Sequence, residues 1–307
     1  MKLTVQLVTW NGARWLPGLF ACLRAMDYGQ WAMDLRLLVL DNGSTDETVE
    51  MLKKELLALP FPCELIERKD NIGFAGGHNQ LFKKALAASE APEAILIFNQ
   101  DMEFEPDCIS KLAQFLEVHQ EAAVAPRLMR LESRSTIDSL GLKKYRTWRV
   151  ADIGSGHVCK PTAVFGVSGA CAMFRSQALR QVAFPDGAIF DESYGSYKED
   201  VDLAFRMKHK GLRSFVLPNA IAYHARGSGD GKKDQSFRVR YHSYRNHLAN
   251  IYKNFSREYI LDFPFVVCYE IGKFLWYLLR DPKVLRAWAD LWRMRKTLYE
   301  RRQHCFR

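Results

Sequence analysis

The first half of the chain alternates short apolar runs with stretches whose apolar residues recur every three or four positions. The runs predict strands, and the longer period predicts helices. The predicted strands cover 3–9, 35–40, 64–67, 94–98 and 122–125. The predicted helices cover 15–25, 46–57, 79–88 and 106–119. Because helices alternate with strands that are apolar on both faces, the pattern favours an α/β doubly wound, mostly parallel sheet.

The pattern weakens in the middle of the chain and becomes helical at its end. Residues 127–163 predict irregular strands and loops. Beyond them we expect strands at 166–174, 215–217 and 221–223 and helices at 176–182 and 199–210. After residue 231 the period is helical throughout, most clearly at 237–255 and 283–302, where aromatic residues stand beside a dense basic face.

Polar residues follow four of the predicted strands at the points where those strands end. They form the segments TWN (9–11), DNGSTD (41–46), NIGFAGG (71–77) and NQD (99–101). Ligands of open α/β sheets bind beyond the carboxyl ends of the strands. The sequence therefore predicts a ligand pocket at one edge of the sheet.

Acidic residues supply the candidate chemistry of this pocket. Asp101 stands just past an apolar strand, where a carboxylate can hold a divalent cation against a diphosphate. Glu199, Asp200 and Asp202 open a predicted helix, where acids complement the helix dipole. Alternatively, Asp200 projects into the pocket as a general base, a task that suits a carboxylate of low pKa. Taken alone, these residues leave both alternatives open.

Two histidines and a glycine-rich segment add weaker signals. His224 ends a strand, and Arg226 follows it, which is compatible with a phosphate or metal site and equally with a structural histidine. Gly73, Gly77 and His78 precede or begin a helix, where backbone amides can face a phosphate. His78 either contacts a nucleotide or caps that helix. The segment lacks G-x-G-x-x-G spacing and follows the third strand, which argues against a dinucleotide fold.

The positive charge of the chain lies at one end. The 307 residues carry a formal net charge of +9, yet residues 226–307 alone hold 18 basic against 8 acidic residues. Basic and aromatic helices of this kind suit the surface of an anionic membrane. The seven cysteines match no zinc pattern, and the first residues lack a signal-peptide pattern, so we expect a cytoplasmic protein.

Taken together, the motifs resemble the family 2 nucleotide-sugar glycosyltransferases with the GT-A fold, in particular the rhamnosyltransferase-like branch. The matching segments cover roughly residues 3–230 in the family order. They are VQLVTWNG, VLDNGSTDET, NIGFAGGHNQ, IFNQDMEFEPD, VSGACAMFRSQAL, FDESYGSYKEDVDLAFRMKHKG and AIAYHARGSG. The resemblance implies a Rossmann-like catalytic domain over 1–230, with a nucleotide-binding half (1–126) and an acceptor half (127–230). A basic, amphipathic helical region over 231–307 would follow.

The resemblance also implies roles for single residues. Asp200 matches the catalytic base of an inverting displacement at the anomeric carbon. Asp101 matches the last acid of the DxD metal motif, and His224 matches a histidine that completes the metal site, with Mg²⁺ or Mn²⁺ as cofactor. Thr9 and Asp41 would contact the nucleobase and ribose. The remaining donor-binding candidates are Asn11, Asn42, Gly73, Gly77, His78, Asn99, Gln100, Gly169 and Ala170, and the additional site candidates are Glu199, Asp202 and Arg226.

One position departs from the motif, since Asn99 stands where DxD has its first aspartate. Asparagine is a neutral, weaker ligand, so Asp101 and His224 would carry more of a metal site. The expected donor is dTDP-rhamnose, with UDP-hexoses next. The expected acceptor is a polyprenyl-linked or cell-surface saccharide. We expect the enzyme on the inner face of the cytoplasmic membrane, bound through 237–307.

Two alternatives belong to other classes of protein. An NAD(P)-dependent oxidoreductase shares the β-α pattern but needs a glycine-rich turn after the first strand, where this chain has TWNGAR. A peripheral protein that binds nucleic acid would use the basic tail. The apolar residues within 263–279 favour lipid over nucleic acid.

Overall fold

The computed structural model of the chain describes residues 1–27, 34–88, 90–156, 158–226 and 236–306. The strands found there are β1 (Lys2–Thr9), β2 (Asp34–Asp41), β3 (Cys63–Glu67), β4 (Ala94–Asn99), β5 (Met102–Phe104), β6 (Ala123–Arg130), β7 (Ile137–Ser139), β8 (Leu142–Lys144), β9 (Val150–Asp152), β10 (Thr162–Val164), β11 (Cys171–Arg175) and β12 (Ser214–His224). The α-helices are α1 (Leu16–Arg24), α2 (Thr48–Leu57), α3 (Gly73–Ala87), α4 (Cys108–Val118), α5 (Ser176–Val182), α6 (Glu199–His209), α7 (Phe237–Asn254), α8 (Phe263–Arg280) and α9 (Arg286–Cys305).

One mixed, mostly parallel sheet forms the centre of the molecule. Its strand order is β10-β12-β6-β11-β4-β1-β2-β3. The strands β3, β2, β1 and β4 run parallel, as do β6 and β12. β11 lies antiparallel to both of its neighbours and joins the two parallel groups. The predicted α/β fold class is confirmed, with this antiparallel strand as the feature that the pattern did not indicate.

Both faces of the sheet are covered, which explains the near-continuous apolar runs of its strands. In β4, Leu96 and Phe98 face one buried cluster, and Ile95 and Ile97 face the other. Successive side chains of a strand point to opposite faces, so a strand between two helical layers needs apolar residues at every position. The core thus fixes the strand ends at which the polar loops lie.

The structure moves several predicted boundaries. α3 begins at Gly73, six residues before the predicted start, so most of the glycine-rich segment is helical. The strands predicted at 215–217 and 221–223 are one strand, β12, with an irregularity between Leu217 and Ile221. The stretch expected to be irregular contains the short strands β7 to β9.

The C-terminal helices pack on the rest of the molecule and on one another. α7 contacts α6 and α9, and residues of α8 help to bury Trp148 and Phe205. No helix of the described ranges has the length and apolar content needed to cross a bilayer. The predicted domain boundary at 230/231 lies outside the described residues, and that division stays a prediction.

Candidate active site

A polar cleft of about 450 Å³ opens at the edge of the sheet where β1, β2 and β4 end. Thr9 is in register with Asp41, and Val8 with Asn99, so the three strand ends meet. The lining includes Thr9, Trp10, Asn11, Asn42, Asn71, Gly73, Asn99, Gln100 and Asp101. The structure therefore brings the four polar segments together at one cleft.

Gln100 ties the end of β1 to the end of β4. Its Oε1 accepts hydrogen bonds from the Thr9 hydroxyl at 2.6 Å and from the Trp10 backbone N–H at 2.9 Å, and its Nε2 donates to the Trp10 carbonyl. A Cβ on Gly12 would collide with the same Oε1. Gly12 is therefore a residue of this edge that motif reasoning did not single out.

Asn11 and Asp41 shape the neighbouring loop. Asn11 adopts a left-handed backbone, with φ of 47°, and its Oδ1 accepts the Thr45 N–H at 2.8 Å. Asp41 is buried, and its carboxylate accepts the Ser44 N–H at 3.0 Å and the Ser44 hydroxyl. Asp41 thus supports the loop next to the cleft, and a contact with ribose remains a prediction.

Asn42 joins the end of β2 to the start of α3. Its Nδ2 donates to the Gly73 carbonyl at 3.1 Å, and its Oδ1 accepts the Ile72 N–H at 2.9 Å. Gly73 has a φ of 78°, and a Cβ there would lie 2.7 Å from the Gly195 carbonyl oxygen. Glycine is required at this position both by the backbone conformation and by the contact.

The structure does not bring Gly77 and His78 into the cleft. A Cβ on Gly77 would meet Val8, so this glycine lets α3 pack closely on the sheet. His78 is fully buried, its Nδ1 lies 3.2 Å from the Gln6 Oε1, and burial lowers its pKa to about 3. Both nucleotide-binding assignments are corrected, because each residue serves the core.

The two predicted metal ligands do meet. His224 Nε2 lies 3.5 Å from Asp101 Oδ1, and the Asn99 Nδ2 lies 3.4 Å from the same ring nitrogen. Burial lowers the pKa of His224, but its bonds to Asp101 and Asp138 outweigh burial and raise the pKa to about 9. The pair sits where β4 ends and β12 ends, on strands far apart in sequence.

Asp138 is the residue that sequence reasoning missed at this point. Its carboxylate lies 3.0 Å from His224 Nδ1, and it also pairs with Arg226, whose guanidinium reaches Asp152 at 3.1 Å. An acid on Nδ1 fixes the ring and directs Nε2 toward Asp101. Asp138 lies on β7, within the stretch expected to be irregular, and no motif marks it.

The donor set fits a hard cation that is held jointly with a ligand. The described residues contain no cluster of three or more His, Cys, Asp or Glu able to hold a metal by themselves. Asp101 offers one carboxylate, and His224, its ring oriented by Asp138, offers Nε2 once a cation displaces the proton that its raised pKa keeps on the ring. Mg²⁺ and Mn²⁺ commonly complete such a set with water and phosphate oxygens.

A second cavity of about 370 Å³ adjoins the first and contains Asp200. Phe74, Asn99, Ser196 and Tyr197 line both cavities. Asp200 accepts backbone N–H groups from Gly169 at 3.0 Å and from Val201 at 2.8 Å. Burial raises its pKa despite these two donors, contrary to the expected low pKa.

The neighbours of Asp200 differ from one another in their surroundings. Gly169 and Ala170 line the same cavity, and their assignment to donor binding stays a prediction. Glu199 is buried there, and burial, together with the charge of Asp200, raises its pKa to about 8. Asp202 is fully buried against Arg206 and Lys253, whose charges overcome burial and lower its pKa. It lines neither cavity.

Helix α7 contributes residues that no motif indicated. Ser236, Arg238 and Val239 at its start line the first cavity, and Ser243 lines the second. The sequence marked 237–255 as amphipathic and basic, which predicts a helix but not what the helix contacts. The C-terminal region therefore takes part in both cavities.

Comparison with known proteins agrees with this geometry. The model of the glycosyl transferase family 2 matches residues 4–183. An N-acetylglucosaminyl-diphospho-decaprenol L-rhamnosyltransferase of Mycobacterium tuberculosis is 25% identical over 231 residues, covering 67% of this chain and 71% of the relative.

Solved structures share the fold at low identity. The S. aureus TarS 1–349 complex with UDP has a TM-score of 0.62 at 16% identity, covering 100% of this chain and 88% of that one. The Pyrobaculum calidifontis mannosyltransferase PcManGT with GDP-Man and Mn²⁺ has a TM-score of 0.58 at 18% identity, covering 94% and 74%. Against the longer TarS chain, this protein spans 44% of the length.

The family match covers more than half of the chain, including the ends of β1, β2 and β4 that form the polar cleft. The mixed sheet, the Asp101–His224 pair and the cavity around Asp200 are consistent with it. A transferase is not a hydride-transfer enzyme, so the oxidoreductase alternative is not retained. The chain belongs to the glycosyl transferase family 2.

Proposed function

We propose that this glycosyltransferase is an inverting, metal-dependent enzyme that moves a sugar from a nucleotide donor to a lipid-linked or cell-surface saccharide. One observation carries the proposal. Asp101 lines the first cavity, and His224, which Asp101 contacts, lines the adjoining cavity together with Asp200. Phe74, Asn99, Ser196 and Tyr197 are shared between the two. A donor diphosphate and an acceptor hydroxyl could then meet across that shared wall.

Asp200 is the proposed general base. As the acceptor oxygen bonds to the anomeric carbon, Asp200 takes the hydroxyl proton, and the electron pair of the breaking C–O bond leaves with the nucleoside diphosphate. The Gly169 and Val201 N–H groups fix the carboxylate, and its raised pKa makes it a stronger base than an exposed aspartate.

Asp101 and His224 would hold a divalent cation, Mg²⁺ or Mn²⁺. When bound, the ion would neutralise charge on the departing diphosphate. Asp138 would keep the His224 ring oriented, and Arg226 would balance the charge of Asp138. The named Mn²⁺ complex of PcManGT supports this assignment by fold similarity.

The preferred donor is dTDP-rhamnose, with UDP-hexoses next. The rhamnosyltransferase named for the mycobacterial relative supports L-rhamnose and a polyprenyl-diphosphate acceptor. The UDP-GlcNAc complex of TarS supports a UDP-sugar as the second choice. Thr9, Gln100, Asn42 and Gly73 would form the donor side of the cleft.

The C-terminal helices would bring the enzyme to the inner face of the cytoplasmic membrane. α8 exposes apolar side chains along its length, including Ile271, Leu275, Trp276 and Leu279. The exposed Arg295 of α9 lines a groove together with Val267 of α8. Apolar residues beside cations suit insertion at an anionic lipid surface. This arrangement supports a membrane over nucleic acid as the partner, because exposed apolar side chains suit a lipid surface and not a charged phosphate backbone.

A transfer screen tests the proposal. The full-length protein is incubated with dTDP-rhamnose, UDP-glucose or UDP-GlcNAc and a polyprenyl-diphosphate-linked acceptor, with Mg²⁺, Mn²⁺ or EDTA. We expect product with one donor class in the presence of metal and none with EDTA. Turnover that is unchanged in EDTA would contradict the metal assignment, and no turnover with any donor would contradict the function.

The base assignment is tested by Asp200→Asn. The variant keeps the shape of the side chain but cannot take the proton, so we expect kcat to fall by about 10²- to 10⁴-fold while donor binding persists. Asp186→Asn is the matched control, because Asp186 is an exposed carboxylate that pairs with Arg301. Near wild-type kcat in Asp200→Asn would show that another group is the base.

A further inference from the structure

The segment that leads into Asp200 has an unusual backbone. Residues 193–198 run from within the 3-10 turn Glu192–Tyr194 to the start of α6. Gly195, Tyr197 and Lys198 all have positive φ, of 66°, 73° and 71°. Two successive L-residues in the left-handed region persist only where the surroundings hold them. Ser196 and Tyr197 of this segment form part of the wall shared by both cavities.

Side chains of α7 hold this backbone. The Asn246 Nδ2 donates to the carbonyls of Tyr194, Ser196 and Tyr197 at 3.1, 3.0 and 2.6 Å. The Arg245 guanidinium donates to the carbonyls of Ser193 and Tyr194, and its Nε donates to Asn246 Oδ1 at 2.9 Å. The orientation of the Asn246 amide is therefore fixed by its neighbour.

Asn250, one helical turn further, completes the set. Its Nδ2 donates to the Lys198 carbonyl at 3.1 Å, and its Oδ1 accepts the Tyr194 hydroxyl at 3.0 Å. The remaining carbonyl of the segment, that of Gly195, accepts the Ala75 N–H from α3. Every carbonyl from 193 to 198 thus has a partner, and five of the six are held by α7.

From these contacts we infer that Asn246 is a positioning residue for the transfer reaction, acting through residues 193–198 on the base Asp200 and on the wall between the two cavities. The inference rests on the proposed role of Asp200. It assigns to α7 a part in catalysis in addition to any membrane role of the C-terminal region. Asn246 is fully buried, and within the described ranges its side-chain amide donates to this segment alone, so its effect is directed there.

The first test separates positioning from folding. In the full-length Asn246→Ala variant, turnover of dTDP-rhamnose, or of whichever UDP-hexose the wild type uses, is measured together with dTDP or UDP binding. Small displacements of a reacting group cost about 100-fold in rate. We expect kcat to fall by about that factor while KM for the donor and nucleotide affinity change little. Unchanged kcat would overturn the inference.

Arg175→Ala is the matched control. The part-buried Arg175 side chain also donates to three backbone carbonyls, those of Leu116, His119 and Glu121, and none of these residues lines either cavity. We expect it to lower stability as much as Asn246→Ala but to leave kcat close to wild type. Equal kcat losses in the two variants would mean that Asn246 acts only through stability.

A second readout does not require activity. Hydrogen–deuterium exchange is compared between the wild type and Asn246→Ala for peptides that cover 193–200 and for peptides that cover β4. We expect about tenfold faster exchange at 193–200 and unchanged exchange at β4. Unchanged exchange at 193–200 would overturn the inference. A wild type without turnover would instead contradict the proposed function, while the exchange result would still decide what Asn246 holds.

Discussion

Helices α7 and α8 are adjacent and each has 18 residues, but α7 buries a row of polar side chains whereas α8 exposes most of its apolar ones. In α7, Asn246, Asn250, Lys253 and Asn254 are at most 2% exposed. In α8, nine apolar side chains between Phe263 and Leu279 are 37% to 82% exposed, and only Val266 and Tyr277 are buried. A helix of a globular protein usually turns its apolar side to the core.

The difference shows that each helix is shaped by what it faces. α7 faces the irregular segment 193–198 and the buried acids Asp191 and Asp202, so polar side chains are what its contact surface needs. The apolar side of α8 has no protein partner among the described residues that covers it. An apolar surface of this kind marks an interaction site. The basic region thus combines an internal support with an outward surface.

The largest effect is expected from Lys253→Met, which breaks the polar contact of α7. Lys253 is fully buried, with its Nζ 2.5 Å from Asp191 and 2.8 Å from Asp202. Removing one partner of a buried ion pair leaves uncompensated charge, so we expect about 3–5 kcal/mol less free energy of unfolding in urea. Lys283→Met, at an exposed lysine, is the control. A loss below about 1 kcal/mol for Lys253→Met would show that α7 is weakly coupled to the body.

A smaller effect concerns the contact between α7 and α8. Burial lowers the pKa of His247 to about 4, although Glu270 on α8, 2.7 Å away, raises it. In the unfolded chain its pKa is about 6.5, so between pH 6.5 and 4 the unfolded state binds the extra proton and stability falls as pH falls. The loss from pH 7 to pH 5 is about 2 kcal/mol by this linkage.

We therefore expect His247→Gln to reduce the difference in unfolding free energy between pH 7 and pH 5, measured by urea titration at both values. His119→Gln, at an exposed histidine, should leave that difference as in the wild type. If His247→Gln keeps the full pH dependence, other buried groups cause it.

The smallest effect on stability is expected on the outward side of α8. Ile271 and Leu275 are exposed, so the double change to glutamate should alter the free energy of unfolding by less than about 0.5 kcal/mol per site. The same change should abolish pelleting with vesicles that contain anionic phospholipid, because it replaces apolar contact with negative charge.

Leu57→Glu is the control for that experiment, since Leu57 is an exposed leucine on α2. It should pellet with the vesicles like the wild type. Unchanged pelleting of the α8 variant would contradict membrane binding by this surface. Binding to oligonucleotides but not to vesicles would favour nucleic acid, and a changed oligomeric state would identify α8 as a subunit interface.

Much of the fold was predictable because its strands are buried on both faces. The apolar runs at 35–40 and 94–98 are short and bounded by turns, which predicts buried strands. They correspond to β2 and β4. The sequence predicts a strand at 166–174, which contains most of β11, but it does not predict that this strand runs antiparallel to its neighbours. The direction of β11 depends on its pairing with Ala94–Phe98 on one side and Ala123–Val124 on the other. The local pattern of apolar residues does not determine that pairing.

The candidate site was predictable where residues come in motifs and unpredictable where they come singly. Asp101, Asp200 and His224 stand in recognisable segments, and the structure places them around two adjoining cavities. His78 also stands in such a segment, yet it packs on Gln6 in the core, because the helix begins before it and turns it inward. Asp138 and Asn246 have no motif, so only their contacts reveal them.

The sequence by itself determined the α/β alternation, the polar strand ends, the family and the concentration of positive charge after residue 226. The alternation, the polar strand ends and the charge follow from local spacing and composition, and the family follows from motifs that resemble those of its members and from the match of the family model. The tertiary structure decided that His224 meets Asp101, that Asn246 holds the backbone before Asp200, and that α8 turns its apolar side outward. Those facts depend on which segments, distant in sequence, contact one another in the folded chain. The burial of a side chain is set by these contacts and not by its residue type.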